Sequence, residues 1–242
     1  MDIDNYMNTA KGKINNKPLK TFVLAIYAGI FIALAGVLST VASLSIDNYS
    51  VAKLLSGLVF PIGLILVIFM KTELFTGNSL LVIPLLKKEI NIKQLLKNWL
   101  IVYLGNLCGA LIISILIVNT PLKETIATKM VSIANTKVSF SILEAIILGI
   151  LCNFLVCLAV FLSSNAKSTV EKIIVIFLPI FTFVALSFEH SVANMSYLSL
   201  GYLLDNNITI TKLLLNNLLP VTLGNIIGGS ILGLSIWYLR KE

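Results

Sequence analysis

Apolar runs of about twenty residues recur along the chain, parted by short lysine-bearing stretches, and about that length of helix crosses a bilayer's hydrocarbon core. The pattern predicts six spans, at 21–45, 54–86, 95–118, 141–162, 173–204 and 213–239. The second and fifth are overlong, and polar residues interrupt them: ELFTGN at 73–78 and EHSVAN at 189–194. In the fifth, the apolar runs on either side of Glu189 and His190 are each too short to cross alone, yet together they suffice. Two half-helices meeting at Glu189 and His190 are therefore expected. Irregular backbone at that depth is tolerated only where it is buried in protein or lines a water-filled path, so a path through the membrane is the first expectation.

The spans divide into two copies. NWLIVYLGNLCG at 98–109 and NLLPVTLGNIIG at 217–228 are identical at seven of twelve positions, and each break places Glu and Asn five residues apart. Each half is thus three spans with a broken middle one. Three is an odd number, so the second copy enters from the opposite side. The chain is expected to be one all-α transmembrane domain, 1–242, with an arm at 1–20 and inverted repeats at 21–118 and 141–240. Interrupted helices at corresponding positions of two repeats are a sequence pointer to a transport site.

Composition narrows this further. With 57% hydrophobic and 12% charged residues, the chain lies outside the soluble globular range. A net charge of +7 does not indicate nucleic acid, because the lysines gather at span ends. The arm (Lys11, Lys13, Lys17, Lys20), the second and fourth connections (Lys87, Lys88, Lys93, Lys97, Lys167, Lys172) and the tail (Arg240, Lys241) hold twelve cations. The other connections hold five, Lys53, Lys123, Lys129, Lys137 and Lys212, and Lys71 lies within the second span. Cytoplasmic connections carry the excess, which places both termini in the cytoplasm. The first apolar segment is long enough to span and lacks the short core and cleavage site of a signal peptide. Cys108, Cys152 and Cys157 show no metal-ligand spacing and read as small buried apolar residues, so no cofactor or metal is expected.

The new half-helices are expected to begin near Thr76 and Ser191, residue types that cap N-termini well. Their positive ends would converge on one point. There His190, able to donate from either ring nitrogen, favours an anion or polar acid over a cation. Glu73 and Glu189 are expected to brace the breaks by accepting from exposed amides at the helix starts. Asn78, Asn194 and the other intraspan amides, Asn98, Asn106, Asn153, Asn217 and Asn225, glue helices together by default. The pairs Gly105 with Gly109 and Gly224 with Gly228 let backbones approach closely. Lys137, in the polar loop 135–140 outside the fourth span, reads from its setting as an ordinary solvated lysine, with attraction of anions as the alternative. Phe60, Leu64, Leu74, Phe75 and Phe183 flank the breaks, either as dewetting constrictions or as packing residues. No nucleophile constellation or His-Glu-x-x-His motif accompanies Glu189 and His190, so no enzyme is expected.

With these residues in hand, the chain resembles the formate/nitrite transporter family, which includes formate, nitrite and hydrosulfide channels of bacteria. The likeness runs from the first span through Leu239. It is carried by the two breaks, by Asn98-Trp99 and Gly105-Asn106, by CNFLVCLA at 152–159 and by NLLPVTLGNIIGG at 217–229. The resemblance implies an aquaporin-like protomer and a homopentamer in the bacterial cytoplasmic membrane, with one pore per protomer. It also implies a small anion as substrate: formate, nitrite or hydrosulfide. It assigns the central histidine to His190, the pore threonine to Thr76, the vestibule lysine to Lys137, and the apolar constrictions to Phe60, Leu64, Leu74, Phe75 and Phe183. Many members carry a small residue where this chain has Lys71, an extra cation that either adds anion affinity or snorkels away. The expected mechanism is capture of the anion followed by protonation near His190. The alternative is an aquaporin-like channel for small neutral solutes, whose paired Asn-Pro-Ala signature is absent.

Overall fold

A computed structural model describes residues 2–205 and 208–240, and among them there is no strand. Met1 of the arm and Lys241 of the tail lie outside the described residues.

The arm is a helix, α1 (Ile3–Asn15), capped by the Asp2 carboxylate, which accepts from the Asp4 amide. Ile3, Tyr6, Met7 and Ala10 recur at helical spacing and are buried, so α1 is docked on the body of the protein. Next come α2 (Pro18–Ala42), α3 (Tyr49–Val59) and α4 (Ile62–Phe69). The first break leads into a short α5 (Phe75–Asn78), a 3-10 turn at Ser79–Leu81 and α6 (Val82–Leu86). Then follow α7 (Ile92–Val118), α8 (Leu122–Val138), α9 (Ile142–Asn165) and α10 (Thr169–Ala185). The second break separates α10 from α11 (Ser191–Leu204). A short α12 (Ile210–Lys212) continues through a π-helical turn, Leu213–Leu218, into α13 (Leu219–Leu239). The widened turn falls just before Pro220, which has no amide to close an α-helical bond onto the Asn216 carbonyl.

Five helical stretches among the described residues are long and apolar enough to cross a membrane: Pro18–Ala42, Tyr49–Phe69, Ile92–Val118, Ile142–Asn165 and Ile210–Leu239. The remaining apolar stretch is divided into α10, of 17 residues, and α11, of 14. The two breaks therefore differ in setting, since the helix ahead of the first, Tyr49–Phe69, is long enough to span by itself.

One connection expected as a loop is a helix. α8 buries Ile126, Met130 and Ala134, one residue per turn, the first two in a cluster with Val37 and Leu200. Lys137 accordingly sits in the last turn of α8 rather than in a loop.

The glycines set the helix spacing. A Cβ on Gly109 would strike the Ile26 carbonyl of α2, and one on Gly228 the Ile150 carbonyl of α9, so α2–α7 and α9–α13 touch backbone to backbone in the same way. Gly228→Ala is expected to cost about 1–3 kcal/mol, the usual effect of overpacking, and to lower the midpoint of thermal unfolding in detergent. Gly12→Ala, inside α1 and with nothing within 4 Å of the added Cβ, is expected not to lower that midpoint and to raise it slightly, since Ala is the better helix former.

Candidate functional site

The two breaks are built alike in most of their bonds. At the first, Lys71 takes a positive φ of 52°, and at the second Ser187 takes 59°, a conformation uncommon for residues with a Cβ. The next amide turns back in each case, Thr72 donating to the Val67 carbonyl at 3.0 Å and Phe188 to the Phe183 carbonyl at 2.9 Å. One residue later Glu73 donates its amide to the Leu24 carbonyl and Glu189 to the Leu148 carbonyl, at 3.4 and 3.3 Å.

Asparagines complete each break. Asn106 accepts from the Phe75 amide at 2.9 Å and donates to the carbonyls of Ala25 and Glu73. Its counterpart Asn225 accepts from the Ser191 amide at 2.8 Å and donates to the carbonyls of Gly149 and Glu189. These amides from neighbouring helices satisfy donors that a helix start leaves without partners.

The capping roles thus differ from the expected ones. The residues at the N-cap positions are Leu74 and His190, while Thr76 is the second residue of α5 and Ser191 the first of α11. The carboxylates likewise accept from side chains rather than from helix-start amides. Glu73 accepts from Asn78 at 2.7 Å and from Lys13 at 3.1 Å. Glu189 accepts from Asn194 at 2.6 Å, from Asn217 at 3.0 Å and from Lys137 at 2.7 Å. Asn78 also donates to Asn98, and Asn194 to Asn217, at 2.9 and 2.7 Å. In both copies the remaining asparagine oxygen, Oδ1 of Asn78 or of Asn194, is buried and has no partner among the described residues.

One hydrogen bond joins the two breaks, 3.0 Å between Thr76 Oγ1 and His190 Nε2. Both residues are buried. The Ala193 amide donates to His190 Nδ1 at 3.1 Å, which requires a lone pair on that nitrogen. In the neutral ring the proton then resides on Nε2, so His190 donates to Thr76, whose own hydroxyl hydrogen is left for another acceptor. Phe183 stacks on the imidazole with ring centres 5.7 Å apart, and Phe60 meets Phe183 edge-on at 5.9 Å.

A cavity of about 600 Å³ between α2, α3, α8, α10 and α11 reaches His190, while Thr76 behind it is fully buried and does not line the cavity. Phe60, Phe183, Glu189, His190 and Asn194 form its inner end, and Lys53, Lys129 and Lys137 face it. The Lys137 ammonium also lies 5.3 Å over the Tyr197 ring. Leu64, Leu74 and Phe75 are buried but do not line this cavity; Phe75 packs edge-on against Trp99 and Tyr103. Lys71 is exposed and does not line it.

Lys13 was assigned above to topology alone, yet it is largely buried and paired with Glu73 across 60 positions of sequence. Near it Tyr6 is fully buried, and burial pushes its hydroxyl well above the usual tyrosine range.

The family model described as formate/nitrite transporter matches residues 2–239. The chain is 38% identical to the formate channel FocA of Escherichia coli (strain K12), over 95% of this chain and 90% of that one. It is 39% identical to a probable formate transporter of Methanothermobacter thermautotrophicus, over 90% and 88%. Among solved structures, a pentameric formate channel with formate bound superposes with a TM-score of 0.81 at 34% identity, covering 92% of this chain and 96% of that one. An FNT family ion channel superposes with a TM-score of 0.89 at 29% identity, over 99% and 100%. Matched almost end to end in both sequence and backbone, this all-helical, multi-pass membrane chain belongs to the formate/nitrite transporter family of channels and transporters.

Proposed function

We propose that the protein passes small monovalent anions of weak acids, formate foremost, across a bacterial cytoplasmic membrane, with a proton joining the anion beside His190. The reading is carried by one observation: a lysine-faced cavity ends on apolar rings and His190, which is bonded to Thr76 behind it. In this reading the chain makes six crossings, the second and fifth interrupted, as two inverted repeats of an aquaporin-like protomer, with both termini in the cytoplasm. The shared bonding of the two breaks supports the repeat. The pentameric assembly of a similar structure supports a homopentamer with a pore in each protomer.

Magnitudes favour protonation. A bare anion moved into an apolar constriction loses hydration worth tens of kcal/mol. Protonating a carboxylate of ordinary pKa at neutral pH costs roughly 4 kcal/mol, about three pH units at 1.36 kcal/mol each. The neutral acid is therefore the species that crosses the Phe60–Phe183 pair. Leu64, Leu74 and Phe75 are assigned to apolar packing beyond it, and Glu73, Glu189, Asn78 and Asn194 hold the two breaks in place. Lys137 presents a fixed cation beside Glu189 at the inner end of the vestibule.

Uptake of radiolabelled formate into proteoliposomes tests this. The initial rate is expected to rise as the external solution is taken from neutral to mildly acidic. A rate insensitive to external pH, or a single-channel current that accounts for the flux, overturns the protonation step.

A further inference from the structure

Lys137 is the cation nearest the histidine, but its charge is largely cancelled. Its ammonium is 2.7 Å from a Glu189 oxygen, and both side chains are nearly buried. A neutralised pair has a field that falls off quickly with distance, so it attracts little from bulk water. Lys53 and Lys129 differ. Both are half-buried, both face the cavity, and among the described residues neither has a carboxylate within ion-pair distance. Asp47 is the other acidic residue on the wall. The Lys53 ammonium lies over the Tyr49 ring at 5.4 Å.

Helix geometry places Lys129 at a different depth from the inner pair. Lys129, Ser132, Thr136 and Lys137 all line the cavity from α8. At 1.5 Å of rise per residue, Lys129 and Lys137 stand about 12 Å apart along the axis. That exceeds the Debye length of about 8 Å at physiological ionic strength. The inner pair, its opposite charges 2.7 Å apart, therefore exerts little pull at that distance.

We propose that Lys53 and Lys129 form a separate outer capture site for small monovalent anions, setting how much anion the vestibule holds, while the Lys137–Glu189 pair acts only after capture. Hydroxyls of Ser132 and Thr136 continue the polar face between the two levels. The inference rests on the proposed function.

The test is formate uptake by the Lys53→Gln/Lys129→Gln double variant in proteoliposomes, with wild type alongside. At low ionic strength the half-saturating concentration is expected to rise about threefold to tenfold, the low end of what focused charge contributes, while the rate at saturation is maintained. At about 1 M inert salt, where the Debye length is about 3 Å, the difference closes. Lys53→Arg/Lys129→Arg is expected to match wild type, and each single Gln variant to show a smaller rise, which serves if the double variant does not fold. An unchanged half-saturating concentration at low salt, or a rise that persists at high salt, overturns the inference alone. Absence of uptake by the wild type overturns it together with the function.

Discussion

Glu189→Ala is expected to destabilise the fold by about 3–5 kcal/mol, the cost of breaking a buried ion pair from one side. Lys137, Asn194 and Asn217 all donate to this carboxylate, and it is almost wholly buried. Its removal leaves an ammonium and two amide groups short of an acceptor at the end of the cavity. Glu189→Ala/Lys137→Met removes both charges and is expected to recover most of the loss, since apolar replacement of a whole buried pair is often neutral. Glu73→Ala supplies the internal comparison. Lys13 is 16% exposed in its side chain against 13% for Lys137, so burial alone predicts equal costs. Glu73, however, accepts from one asparagine and Lys13, whereas Glu189 accepts from two asparagines and Lys137. Fewer donors lose their acceptor, so Glu73→Ala is expected to cost clearly less. Thermal unfolding midpoints in detergent measure all three variants. Equal losses for the two glutamates, or no recovery in the double variant, refute the account.

The same contrast shows what was readable in advance. Both helix interruptions, the shared glycines and the duplicated asparagines stand in the sequence because each is a local pattern or an internal repeat. The partners of those residues are not local. Asn106 reaches α5 over 31 positions and Asn225 reaches α11 over 34, so the asparagines could be counted but their capping role could not be assigned. Thr76 and Ser191 drew the capping expectation because their type prefers it, yet a side chain from another helix satisfies the same amide without regard to local preference. α8 was missed because its buried stripe is one residue per turn, Ile126, Met130 and Ala134, in an otherwise polar stretch. Its four-residue spacing was a usable signal. Lys13 was not recoverable, since a charge-counting rule reads every lysine in an arm alike and nothing near it in sequence indicates Glu73.

Thr76→Val is expected to lower formate flux about tenfold to a hundredfold while leaving a folded protein. Because the Ala193 amide occupies Nδ1 of His190, the ring proton lies on Nε2 and is donated to Thr76 Oγ1. The threonine hydrogen is then free to point at a substrate oxygen, and a hydrogen bond to a charged group contributes about 1.5–3 kcal/mol. At 1.36 kcal/mol per tenfold, its loss corresponds to the range stated. Valine keeps the shape but also leaves the Nε2 proton without its acceptor, which is expected to lower the unfolding midpoint modestly. Two further measurements separate the donor from a mere prop for the imidazole. Thr76→Ser retains the hydroxyl and is expected to restore formate flux. Water permeability, read from vesicle swelling, needs no donor to an anion and is expected to stay near the wild-type value in Thr76→Val. If swelling falls in step with formate flux, the hydroxyl acts by holding His190 open to the pore, and the hydrogen bond to the substrate has to come from the imidazole itself.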